Sequence, residues 1–99
     1  MLDLKKLKKE REEAYDVWFD RWWKRNNLVH EIKIANAQGY TGYTIALSNY
    51  SDDDKHRMSN ERFKKKLQEK IPGIKTKFEY RTHILTKNEF LYGVTVIWA

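Results

Sequence analysis

A chain of 99 residues suits one domain with one core and leaves no room for a cofactor domain beside a substrate domain. It has no cysteine, which excludes a disulfide scaffold, a thiolate metal site and a cysteine nucleophile, and its net charge of +6 favours an anionic partner. No apolar run approaches the ~20 residues of a membrane span, and the N-terminus lacks the apolar stretch of a signal peptide, so a cytoplasmic protein without a membrane partner is expected.

The first segment, from about Asp3 to Gln38, is predicted as helix. Leu4, Leu7, Ala14, Tyr15, Trp18, Trp22, Val29 and Ile32 recur at about 100° per residue, with Phe19 and Trp23 on the flank. Asp3 is a suitable N-cap, and Gly39 is placed to end the helix in a left-handed conformation, with Tyr40 as a following apolar clamp. A continuous helix of this length would span about 50 Å. A compact domain of this size is only about 35 Å across, so one end would project. Continuity is the favoured reading; the alternative is a break at Asn26–Asn27, both poor helix formers.

A strand is predicted over about Thr41 to Ser48, where Tyr43, Ile45 and Leu47 alternate with Thr44 and Ala46. Asn49 to Met58 reads as a polar loop carrying Asp52, Asp53 and Asp54. A second helix follows over about Ser59 to Ile71, with Ser59 as N-cap and Phe63, Leu67 and Ile71 along one face, and Pro72-Gly73 stops it. Two strands close the chain. In the first, Ile74, Thr76, Phe78 and Tyr80 face one way and Lys75, Lys77, Glu79 and Arg81 the other. In the last, Phe90, Tyr92, Val94, Val96 and Trp98 share a face opposite Leu91, Gly93, Thr95 and Ile97. A strand apolar on both faces belongs at the centre of a sheet or under a second cover. The expected architecture is α+β in the order α-β-α-β-β: a long N-terminal helix and a second helix on a three-stranded, mainly antiparallel sheet. Residues 1–99 form one domain, divided into an N-terminal helix (1–38) and a β-α-β-β unit (39–99).

The basic character is concentrated in residues 62–99, which carry nine Lys and Arg against three Asp and Glu. Arg62, Lys64, Lys65, Lys66 and Lys70 on the second helix, with Lys75, Lys77 and Arg81 on the next strand, are therefore the candidate nucleic-acid-binding residues. Lys5, Lys6, Lys8, Lys9 and Arg11 form a second basic cluster, at a helix N-terminus whose dipole disfavours cations. With four Trp and six Tyr the chain has more large rings than its core requires. Trp23 beside Arg21 and Arg25 has the composition of a binding hot spot, and Tyr40 and Tyr43 are weaker candidates of the same kind. These five are the candidate partner-binding residues.

No catalytic set assembles from the sequence. Glu79 and Arg81 with Asp54 faintly match the acidic-x-basic strand of metal-dependent nucleases, but arginine cannot give up a proton at working pH. Asp52-Asp53-Asp54 lacks the alternating ligand spacing of a calcium loop, and His30, His56 and His83 have no metal-ligand spacing. The glycines do not form a phosphate loop. The expectation is a protein that is not an enzyme and has no metal and no cofactor.

The charged opening Leu4-Lys5-Lys6-Leu7-Lys8-Lys9-Glu10 and the closing strand Val94-Thr95-Val96-Ile97-Trp98 resemble, in style rather than motif, the small accessory proteins of phages and mobile elements of low-GC Gram-positive bacteria. That resemblance implies a range of functions, among them anti-CRISPR and other anti-defence inhibition, exercised in the host cytoplasm. Two functions follow. In the first, the chain docks on a host protein or nucleoprotein such as a defence nuclease and inhibits or adapts it, with a homodimer through the N-terminal helix as a further possibility. In the second, it is a basic accessory protein that binds nucleic acid.

Overall fold

A computed structural model of the chain describes residues 2–98. The order is α1 (Leu4–Asn26), α2 (Leu28–Ala37), β1 (Gly42–Ala46), a 3-10 turn (Leu47–Asn49), α3 (Asp52–Met58), α4 (Glu61–Lys70), β2 (Lys75–Thr82) and β3 (Glu89–Ile97). The fold is α+β, as expected, with four α-helices in place of two.

The Asp3 carboxylate caps α1 by accepting from the main-chain N–H groups of Lys5 and Lys6, at 3.0 and 3.3 Å. Tyr15, Phe19 and Trp22 then turn one stripe of the helix into the core. Phe19, expected on the flank, is at the centre of that stripe and 1% exposed. Leu4, Leu7 and Ala14 lie outside it, and the first eleven residues of α1 are exposed. This end projects, and the molecule measures 55 × 37 × 21 Å with a radius of gyration of 15.6 Å, against about 13 Å for a compact chain. The tryptophans are on the other, packed half of α1.

The long helix is not continuous. Asn27 takes a left-handed conformation, φ 46°, which asparagine tolerates better than most residues. The Asn26 amide secures the break by donating to the Trp22 carbonyl at 2.8 Å and accepting from the Tyr50 hydroxyl at 2.9 Å. α2 can therefore turn Leu28 and Ala35 into the core on its own axis. Gly39, with φ 92°, ends α2 as the sequence predicts. Its N–H reaches Asn36 O while that of Tyr40 reaches Ala35 O, both at 3.0 Å, which is a Schellman closure. Tyr40 does not clamp that end; it is 62% exposed.

The expected loop 49–58 contains α3. Ser51 caps it by accepting from Asp54 N–H at 3.3 Å, three aspartates occupy the first turn and three basic residues the last, so the charge order follows the helix dipole. Met58 is fully buried at its end. Asn60, not Ser59, caps α4, and Phe63 and Leu67 face inward from it with no exposure.

The sheet order is β1-β3-β2, antiparallel throughout, so the doubly apolar β3 is the central strand. Ile45, Val94 and Phe78 lie in one row across it, and Tyr43, Val96 and Thr76 in the next. Their side chains meet Phe19, Trp22, Met58, Phe63 and Leu67 from the helices. Trp22 packs edge-to-face on Phe63, ring centroids 4.8 Å apart. A bulge between Glu79 and Tyr80 leaves Tyr92 without a partner in β2. It shifts the phase of β3 beyond it, so Leu91, paired with Tyr80, and not Tyr92 packs against the core, while Tyr80 on the uninterrupted β2 is still 55% exposed. Among the described residues no helix is long and apolar enough to cross a membrane.

Candidate functional site

A cleft of about 590 Å³ lies where α1 crosses the α3–α4 corner, lined by Arg11, Ala14, Tyr15, His56, Arg57, Asn60 and Arg62. Each helix supplies one guanidinium for a local reason. Arg11 is one turn before Tyr15, whose buried ring fixes the face that α1 presents. His56 and Arg57 are in the last turn of α3, where the dipole favours cations. Arg62 follows the Asn60 cap, which holds its main-chain N–H at 3.0 Å.

The floor of the cleft is tied across two helices. The Tyr15 hydroxyl donates to the Arg57 carbonyl at 2.8 Å and ties α1 to α3. Burial holds that hydroxyl well above the ordinary tyrosine range, against the opposing pull of Arg62 and Arg57, so it is a neutral donor. The Arg57 guanidinium lies 5.8 Å from the Trp18 ring centroid and that of Arg62 lies 5.7 Å from Tyr15, so the rings orient both cations. Arg62 pairs with Glu12 at 3.4 Å. Arg11 and Arg57 make no ion pair among the described residues. The arrangement offers guanidinium forks, an imidazole and an amide to one anionic group.

The predicted basic stripe is divided by the fold. Lys66 pairs with Asp16 and Lys64 with Glu61, while Lys64 and Lys70 also lie over Phe78 and Trp23, at 4.6 and 5.9 Å from the ring centroids. These α4 residues pack against α1 or the sheet edge. Lys75 and Lys77 stand on the opposite face of the sheet, because their neighbours Thr76 and Phe78 turn toward the helices. There Lys77 pairs with Glu79 at 3.1 Å, and Arg81 lies 3.5 Å over the Tyr92 ring. Hydrogen bonds from Lys77 and Thr95 hold the Glu79 carboxyl below its usual range. Lys65 and Lys75 are exposed and make no ion pair among the described residues.

Trp23 is not the exposed ring the hot-spot reading requires. It is half-buried, stacked on Phe19 with centroids 6.2 Å apart. Arg25 pairs with Asp54 at 3.1 Å, and Arg21 is exposed beside them. Tyr40 and Tyr43 do come together, on a second and smaller hollow between α2 and β1.

Asp54 accepts from Trp18 Nε1 at 2.9 Å as well as from Arg25, so its carboxylate joins α1 to α3. Glu79 and Arg81 are on the far side of the sheet from it, and the nuclease-like trio does not assemble. Among the described residues no three His, Asp or Glu side chains converge as metal ligands.

The cleft was not legible from the sequence because 49–58 read as loop, which left His56 and Arg57 without a face. The signal was present in Ser51-x-x-Asp54, a capping pattern followed by acidic and then basic residues. No family of known proteins, no curated protein and no solved structure matches this chain.

Proposed function

We propose that this chain is a non-enzymatic binding protein whose partner is a nucleoprotein, and that it grips phosphate groups of the nucleic acid through Arg11, Arg57 and Arg62. Convergence supports the reading: three guanidinium groups from three helices line one cleft, two of them without a carboxylate partner among the described residues. Guanidinium forks match phosphate geometry, and the rings of Trp18 and Tyr15 hold two of them in place. The resemblance to phage and mobile-element proteins makes a host defence nuclease the first nucleoprotein to try, with inhibition or adaptation by direct docking as the outcome.

The test is a salt series with a short labelled DNA strand and duplex. Affinity falls as salt rises, and Arg11→Gln with Arg57→Gln reduces the slope of log K against log salt by about 1–2, two contacts' worth of released counterions. An unchanged slope would falsify the cleft as the contact. The exposed Lys65 and Lys75 favour a second reading, a nucleic-acid accessory protein that needs no protein partner. In that case Lys65→Gln with Lys75→Gln flattens the slope instead, and a pull-down from a Gram-positive host lysate retains no specific protein after nuclease treatment.

A further inference from the structure

We infer that the free edge of β1 is a docking site for an extended peptide of a partner protein, which adds to the sheet as a fourth strand. The surface shares no residue with the arginine cleft and does not depend on it.

β1 is an edge strand, paired to β3 alone. The Trp98 N–H donates to Thr41 O at 3.0 Å, which makes Thr41 and Trp98 a hydrogen-bonded pair at the head of the ladder. Such pairs recur at every second residue of an antiparallel ladder. Tyr43 and Ile45 therefore bond to β3, and Gly42, Thr44 and Ala46 direct their N–H and C=O groups the other way. Among the described residues, none of those main-chain groups has a hydrogen-bond partner outside the ladder. A row of alternating donors and acceptors at strand spacing fits another strand.

The edge is not blunted in the usual ways. β1 carries no Lys, no Pro and no bulge. Beside it runs a groove of about 290 Å³ between β1 and α2, floored by Ala35 and walled by Ile34, Tyr40 and Tyr43. Ile34 is 42% and Tyr40 62% exposed, large apolar surfaces left open among the described residues. Glu31 stands at the same groove and makes no ion pair among the described residues. An augmenting strand gains affinity from main-chain hydrogen bonds and specificity from alternate side chains in flanking pockets. The occupant that fits is a strand with one aliphatic residue for the Ile34–Tyr43 groove and one Lys or Arg for Glu31.

The experiment screens a displayed library of random linear peptides, about eight residues long, against the full chain and against Thr44→Pro. Proline at Thr44 removes an outward N–H and leaves the bonds of Tyr43 and Ile45 to β3 in place. Ile34→Glu, on the exposed side of α2, is the second variant should Thr44→Pro fail to fold. Enriched peptides alternate aliphatic and polar residues and carry a basic residue. The strongest of them, synthesised, binds about tenfold or more weakly to either variant, as the loss of one or two hydrogen bonds or of the apolar contact requires. Its binding slows hydrogen exchange at the Gly42, Thr44 and Ala46 amides. Three results overturn the inference: no enrichment over the variant, binding that leaves those amides unprotected, or protection that rises with protein concentration alone, which assigns the edge to a second copy of this chain.

Discussion

Gly93 lies opposite Ala46, where β3 leaves its bulge and passes close under β1. A methyl group there would point into the main chain of β1. Its carbon would come within 3.1 Å of the Ile45 carbonyl carbon and 3.2 Å of Thr44 Cγ2, and nearer still to the carbonyl oxygen. Neither side can yield cheaply, because Ile45 is 4% exposed and hydrogen-bonded in the ladder. Clearing the contact means parting the strands by about 1 Å, an overpacking cost of ~1–3 kcal/mol. One lost ladder bond adds ~1 kcal/mol. Gly93→Ala should therefore cost ~2–4 kcal/mol of the ~5–15 kcal/mol that a chain of this size has. Gly42→Ala is the control in the same strand pair. Its methyl carbon meets Val96 O at 3.3 Å and Ile97 Cγ1 at 3.6 Å, a tight but tolerable fit, and the expected cost is below ~1 kcal/mol. Urea unfolding followed by tryptophan emission measures both, since Trp22 is buried against Phe63. Equal midpoints for the two variants would refute the register and the strand separation on which the estimate rests.

Asp54→Ala leaves the Trp18 N–H without its acceptor and should cost ~1–2 kcal/mol in the same assay, with Asp54→Asn, which keeps one carbonyl oxygen, losing less; the exposed Arg25 adds nothing measurable to that figure. Burial raises Tyr15 above the ordinary tyrosine value of 10.0, and Tyr43 and Tyr50 shift the same way. The stability these hydroxyls carry is fully present below that value and is lost as pH rises through their folded values. The melting temperature should fall above pH ~10, and less steeply in Tyr15→Phe; parallel curves would dissociate Tyr15 from the effect. Leu4→Ser and Leu7→Ser, on the projecting end of α1, should leave the unfolding free energy within ~0.5 kcal/mol of the parent at every protein concentration. A loss that grows as the protein is concentrated would mean that a second copy covers this end.

Elements whose signals are local were legible from the order of the residues alone. The 100° recurrence of Tyr15 and Trp22, the Asp3 cap, Gly39 after α2 and Pro72-Gly73 after α4 each act within a turn or two of the chain. β3, apolar on both faces, was legible as either the central strand or one with a covered second face, and pairing with both neighbours puts it at the centre. Local pattern failed where two solutions have nearly equal local energy. A run of Leu4, Leu7 and Ala14 has the same period as the stripe that follows, and only the size of the core decides that Phe19 is covered and Leu4 is not. Asn26 and Asn27 permit a break without requiring one, and Tyr50, 24 residues away, fixes it through Asn26. The bulge at Tyr92 reverses the faces of β3 beyond it through pairing with β2. The two candidate surfaces belong to this second group. Arg11, Arg57 and Arg62 share a cleft because α1 packs across the α3–α4 corner, and Tyr40 and Tyr43 flank an open edge because β3 takes the centre of the sheet. Both depend on contacts between residues far apart in the chain, which periodicity and capping do not encode.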